Sequence, residues 1–195
     1  VLFRDPDVQS RTFSMHADYL DFTDEEAYHG TNFGFLGPEM SRPFRALKLW
    51  MSLKHRGVEG YRQLFRQNCH CAEYLHDRVV AADDFEALQK PNLFIYSFRY
   101  LPADLQDAVA DPERRQAGND YADWLNQRIA DDLRLSGEAF VTTTEVRGHT
   151  VVRLSICSHR TTPADIDTTF EAVRDHGERI DAESQARSEY GLADN

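Results

Sequence analysis

The run Ser41-Arg42-Pro43-Phe44-Arg45-Ala46-Leu47-Lys48-Leu49-Trp50 places two arginines and a lysine within ten residues of an acidic chain. Ser41 is a good helix N-cap, Pro43 is tolerated in a first turn, and Phe44, Leu47 and Met51 recur at helical spacing. Free backbone N–H groups and the helix dipole at such a start both favour negative charge, so the stretch can hold a phosphate or a carboxylate. A surface helix with scattered basic residues is the alternative reading of the same spacing. Arg153 is a second candidate. Strand alternation in Val151-Val152-Arg153-Leu154-Ser155 puts Val151, Arg153 and Ser155 on one face, and a guanidinium offers a two-pronged fork that suits a carboxylate. A cross-strand ion pair would explain the same residue.

Other chemistries find little support. Cys69-His70-Cys71 sit too close along one helix to converge on a metal ion, and no second ligand pair follows them. The eight histidines form no triad or metal spacing; His70 and His76 are six apart and share no face well. There is no GxSxG, no Walker loop and no GxGxxG.

These residues need elements to position them. A strand is expected over residues 1–5 and a short helix or turn over 7–14. Residues 18–40 read as a long binding loop or lid, rich in acidic and glycine residues yet carrying Tyr28, Phe33 and Phe35. A helix over 42–56 should end at Gly57, and a second should run from Val58 to Ala81 with Tyr61, Leu64, Phe65, Cys69, Ala72, Leu75 and Val79 as its apolar stripe. Strands are expected over 85–89 and 92–100, then a polar connection over 102–118. Asn119 should cap a helix closed by Gly137, followed by a hairpin around Gly148. Thr162-Pro163-Ala164-Asp165 is a capping-box start for a last helix through Ile166, Phe170, Val173 and Ile180, beyond which the tail should fray. This order suggests a small antiparallel sheet with helices on one face.

Composition sets limits. A formal net charge of −11 argues against nucleic acid as a partner. No apolar run approaches the roughly 20 residues that span a bilayer, which argues against a membrane. An odd set of three cysteines fits reduced thiols in a cytoplasm. Val1-Leu2-Phe3 reads as a strand interior without an initiator methionine, so a chain cut from a longer one is expected.

Ser41 to Trp50, continued by Met51-Ser52-Leu53-Lys54 and Gly57-Val58-Glu59-Gly60-Tyr61, resembles a segment of the group II pyridoxal-phosphate-dependent amino-acid decarboxylases. That family includes the aromatic-L-amino-acid, tyrosine, glutamate and diaminobutyrate decarboxylases. Val1 to Asp5 is similar to the strand after its cofactor lysine, Phe13 to Leu20 to the approach to its mobile loop, and Val151 to Ser158 to a late strand of its small domain. The resemblance implies an α/β fold, the C-terminal part of an aspartate-aminotransferase-type (fold type I) enzyme whose α+β small domain has an antiparallel sheet with helices on one face. It assigns 1–56 to the trailing edge of the large domain, with the catalytic loop at 18–40, 57–81 to a connecting helix, 82–182 to the small domain and 183–195 to a polar tail.

The implied function is decarboxylation of an amino acid, aromatic by the commonest inference, in a cytoplasmic homodimer. Its pyridoxal 5′-phosphate would be bound mainly by the region upstream. Tyr19 would protonate the carbanion, Arg153 would lie near the substrate's carboxylate, and Met40, Ser41 and Arg42 would approach the neighbouring subunit's cofactor phosphate. Pro43 stands where many members carry arginine, which removes a second basic contact. The family's His-Lys pair is absent, since Lys48, Lys54 and Lys90 lie in other contexts. An aldehyde synthase and an inert interaction module that has kept the small domain are the alternatives.

Overall fold

The computed structural model describes residues 3–13, 33–39, 43–183 and 186–192, and divides the chain into two compact units, Val1–His55 and Arg56–Asn195. In the first, helix α1 (Pro6–Phe13) starts behind Asp5, whose carboxylate accepts the Asp7 N–H at 3.0 Å. Gln9 Nε2 donates to the Leu36 carbonyl at 2.6 Å and ties α1 to a 3-10 turn over Phe33–Leu36. Helix α2 (Ala46–Ala81) begins in this unit and continues into the second; Gly57, at φ 66° and ψ 174°, divides it into two helical stretches.

The second unit is built on four antiparallel strands in the order β1-β2-β4-β3: β1 (Phe85–Glu86), β2 (Ile95–Tyr100), β3 (Thr142–Val146) and β4 (His149–Ser155). Arg147 and Gly148 both take positive φ between β3 and β4, the backbone a tight hairpin demands. Register pairs Tyr96 with Leu154, Ser97 with Arg153 and Phe98 with Val152 across β2 and β4. Because side chains alternate, Tyr96, Phe98, Tyr100, Val152 and Leu154 leave one face and Ser97, Arg99, Val151 and Arg153 leave the other. Helices α2, α4 (Arg115–Ser136) and α5 (Pro163–Glu183) contribute Leu75, Leu125, Ile129 and Phe170 to one core with the first set. The Phe85 ring centre lies 4.6 Å from that of Phe170 with the rings tilted by 32°, and the His76 ring on α2 meets Tyr96 edge-on. Gly177 of α5 lies so close to Tyr100 that an added Cβ would stand 2.5 Å from the ring.

Several expectations are met in detail. Asp165 Oδ2 accepts from the Thr162 N–H at 2.8 Å, the capping box expected before α5. Gly137 closes α4 at φ 79° with its N–H on the Leu133 carbonyl.

Other expectations are corrected. Residues 3–5 form no strand; they are irregular and bend into α1. α2 starts at Ala46, so Pro43 precedes the helix, and its carbonyl accepts the Arg45 N–H at 2.7 Å in a tight turn. The connection over 102–118 holds α3 (Ala103–Ala110), which buries Leu105 and Ala108, and α4 starts four residues before Asn119. Asn119 is therefore interior to α4. The strands expected over 85–89 and 92–100 shorten to β1 and β2, and Cys71 rather than Cys69 is the buried cysteine. The tail is anchored as far as it is described. A short helix α6 (Ala186–Glu189) buries Ala186, Leu192 is buried beyond it, and Arg187 binds Asp181 and Asp104.

Candidate functional site

Tyr19, Met40, Ser41 and Arg42 lie outside the described residues. Arg153 is described. It sits on β4, opposite Ser97 of β2 and Thr142 of β3, at the centre of the sheet. Its side chain is half-buried, and its Nε is shielded from solvent with no hydrogen-bond partner among the described residues. No ion pair to Arg153 occurs among them either, so the alternative reading of a cross-strand salt bridge finds no partner there. A buried N–H donor without an acceptor is costly, and an incoming carboxylate is the acceptor a guanidinium suits best.

The same face carries a second arginine that the motif reading missed. Arg99 on β2 is 1% exposed. Its Nη1 donates to Asn119 Oδ1 at 3.0 Å and lies 3.8 Å from Asp123 Oδ1, while its Nη2 lies 2.9 Å from Glu86 Oε2. Asp123 is half-buried; burial pushes its carboxyl above the usual range, against the lowering pull of the Thr150 N–H and of Arg99. The alternation Tyr96-Ser97-Phe98-Arg99-Tyr100 held the signal: polar residues at every second position of an aromatic strand mark a face with its own chemistry.

The lysines bear on cofactor binding. A carbonyl cofactor is held as a Schiff base by a lysine in an enclosed site. Lys48, Lys54 and Lys90 are all exposed, and Lys54 Nζ lies 6.0 Å over the Trp50 ring. Among the described residues, no group of three or more His, Cys, Asp or Glu side chains could hold a metal ion, and no helix is long and apolar enough to cross a membrane.

The family model described as the pyridoxal-dependent decarboxylase conserved domain matches residues 1–101. An aromatic-L-amino-acid decarboxylase of Bacillus atrophaeus is 32% identical over 166 residues, covering 85% of this chain and 32% of that protein. A phenylacetaldehyde synthase of Petunia hybrida is 26% identical over 175 residues, covering 89% of this chain and 33% of that protein. The crystal structure of Oryza sativa TDC with PLP and tryptamine superposes with a TM-score of 0.69 at 23% identity, covering 88% of this chain and 33% of that one. The fold is thus that of these enzymes, and this chain spans about a third of the length of the relatives it matches. An expected resemblance, a matching family model over half the sequence and a shared fold agree: the chain belongs to the pyridoxal-dependent decarboxylases.

Proposed function

We propose that this chain is the C-terminal part of a pyridoxal-phosphate-dependent L-amino-acid decarboxylase that acts as a cytoplasmic homodimer on an aromatic amino acid. The observation that carries this reading is the unpartnered, solvent-shielded Nε of Arg153 on the central strand of the sheet. In this reading Arg153 holds the substrate's carboxylate through charge-assisted hydrogen bonds. Tyr19 protonates the carbon that loses carbon dioxide, and Met40, Ser41 and Arg42 approach the cofactor phosphate of the neighbouring subunit. Residues 1–56 belong to the edge of the cofactor domain, 57–81 to a connecting helix and 82–182 to the small domain. The family membership and the aromatic-L-amino-acid decarboxylase among its relatives support the reaction class. The exposure of all three lysines supports an anchor outside this chain, and hence a chain inactive by itself. A phenylacetaldehyde synthase also stands among the relatives, which keeps aldehyde formation as the second reading.

The test is steady-state kinetics of the full-length enzyme carrying Arg153→Gln. A hydrogen bond to a charged group contributes roughly 1.5–3 kcal/mol, so KM for the amino acid should rise by about 10- to 100-fold. An unchanged KM would remove Arg153 from the site.

A further inference from the structure

Two guanidinium groups share one face of the sheet, and only one of them is neutralised. Ser97 is the direct partner of Arg153, and Arg99 stands two residues further along β2 on the same side. Arg99 donates to Asn119 and forms ion pairs with Glu86 and Asp123, although its Nε, like that of Arg153, is buried without a hydrogen-bond partner among the described residues. Arg153 has no carboxylate partner among the described residues.

The β2–β4 pairing ends at Phe98 and Val152. Beyond it, α4 takes over the ladder. Asn126 receives the Tyr100 N–H at 2.8 Å and donates to the Tyr100 carbonyl at 2.9 Å. Asp123 Oδ1 accepts the Thr150 N–H at 2.9 Å. Asn119, Asp123 and Asn126 recur at helical spacing, so one stripe of α4 holds both strand ends. Arg99 is bound into that stripe, and Thr150 is three residues from Arg153 on β4.

We propose that Arg99 is a positioning residue for Arg153: its fork, fixed by Glu86, Asn119 and Asp123, locks the start of β4 and keeps a second cation from competing for the anion that Arg153 receives. This rests on the reading of Arg153 as the carboxylate-binding group. Lysine in place of Arg99 keeps the charge and loses the fork, so it cannot hold Asn119 and Glu86 together. Asp123→Asn is the gentler companion, because its amide oxygen still accepts the Thr150 N–H while the charge facing Arg99 is lost.

A double-mutant cycle in the holoenzyme tests the proposal. Arg99→Lys is expected to raise KM for the amino acid about fivefold with kcat within about twofold, and to add less than about twofold in the Arg153→Gln background. Equal KM effects in both backgrounds, or none in either, overturn it. A second readout needs no substrate. In the isotope-labelled chain, Arg99→Lys and Asp123→Asn should each move the Arg153 Nε–H resonance, and an unmoved resonance in both overturns the proposal. If Arg153→Gln leaves KM unchanged while that resonance moves, the carboxylate reading fails and the positioning stands.

Discussion

One face of the sheet carries Tyr96, Phe98, Tyr100, Val152 and Leu154 and is sealed by α2, α4 and α5; the other carries Ser97, Arg99, Val151 and Arg153. On the helix-covered face, area removed from water does the work, and even the charged groups serve it. The Arg174 guanidinium lies 4.8 Å over Phe170 and 5.4 Å over Phe85 while its Nε and Nη2 donate to Asp84 at 2.6 and 3.0 Å. On the other face, Ser97 and Arg99 are 2% and 1% exposed; the Arg99 Nη atoms meet Glu86, Asn119 and Asp123, while Arg99 Nε and Arg153 Nε are both buried without a hydrogen-bond partner among the described residues. The same four strands thus hold a core on one side and a set of oriented charges on the other. Non-polar contacts tolerate small shifts; a fork of hydrogen bonds does not. The second face is therefore the more sensitive of the two to small displacements.

The largest expected effect lies on the first face. Phe98 is fully buried, and Phe98→Ala should cost about 3–5 kcal/mol in denaturant unfolding of this chain. A loss below about 1 kcal/mol would mean that the aromatic face is not the core.

Next comes the seam where α4 holds both strands. Asn126→Leu keeps the volume and leaves the Tyr100 N–H and carbonyl without partners, at roughly 1–3 kcal/mol for each buried group. Hydrogen exchange at Tyr100 should quicken most. Unchanged protection there would detach α4 from the ladder.

The smallest effect is in the pH dependence, and its sign differs between two carboxylates of α4. Burial raises the Asp123 carboxyl, so its contribution is full below its unfolded pKa near 4 and is lost as pH rises through the raised value. For Asp132 burial pulls upward too, but the hydrogen bonds from Arg179 and His176 outweigh it and hold the carboxyl below its usual range. Its contribution is full above that same pKa and is lost as pH falls through the depressed value. Asp123→Asn should make unfolding stability rise more steeply just above pH 4, and Asp132→Asn should make it fall less steeply below that pH. Changes of the same sign in both variants would refute the assignment.

Local signals explain why some of this was legible. The Thr162 and Asp165 capping box, Gly137 and the Gly148 hairpin are set by groups a few residues apart, so their spacing carries them. The stripe Ala72, Leu75 and Val79 is legible because a periodic apolar face and a buried face coincide there. The same periodicity misleads at Phe44, Leu47 and Met51, which are exposed: spacing reports a face and carries no information on what covers it. α3 was hidden because acidic residues and Pro102 dominate a stretch whose buried residues, Leu105 and Ala108, are few. Arg153 is proposed from strand alternation and the family's motif. Arg99 is not, because its partners Glu86, Asn119 and Asp123 are scattered along the sequence and only the fold collects them.

The most direct measurement of the central claim, that this chain supplies the carboxylate-binding face while the cofactor's anchor lies elsewhere, is borohydride reduction of the pyridoxal-phosphate-loaded holoenzyme followed by peptide mapping. The account predicts no stoichiometric pyridoxyl label on Lys48, Lys54 or Lys90, and no reducible cofactor band when this chain alone is mixed with pyridoxal phosphate. A stoichiometric label on any of the three lysines would contradict it.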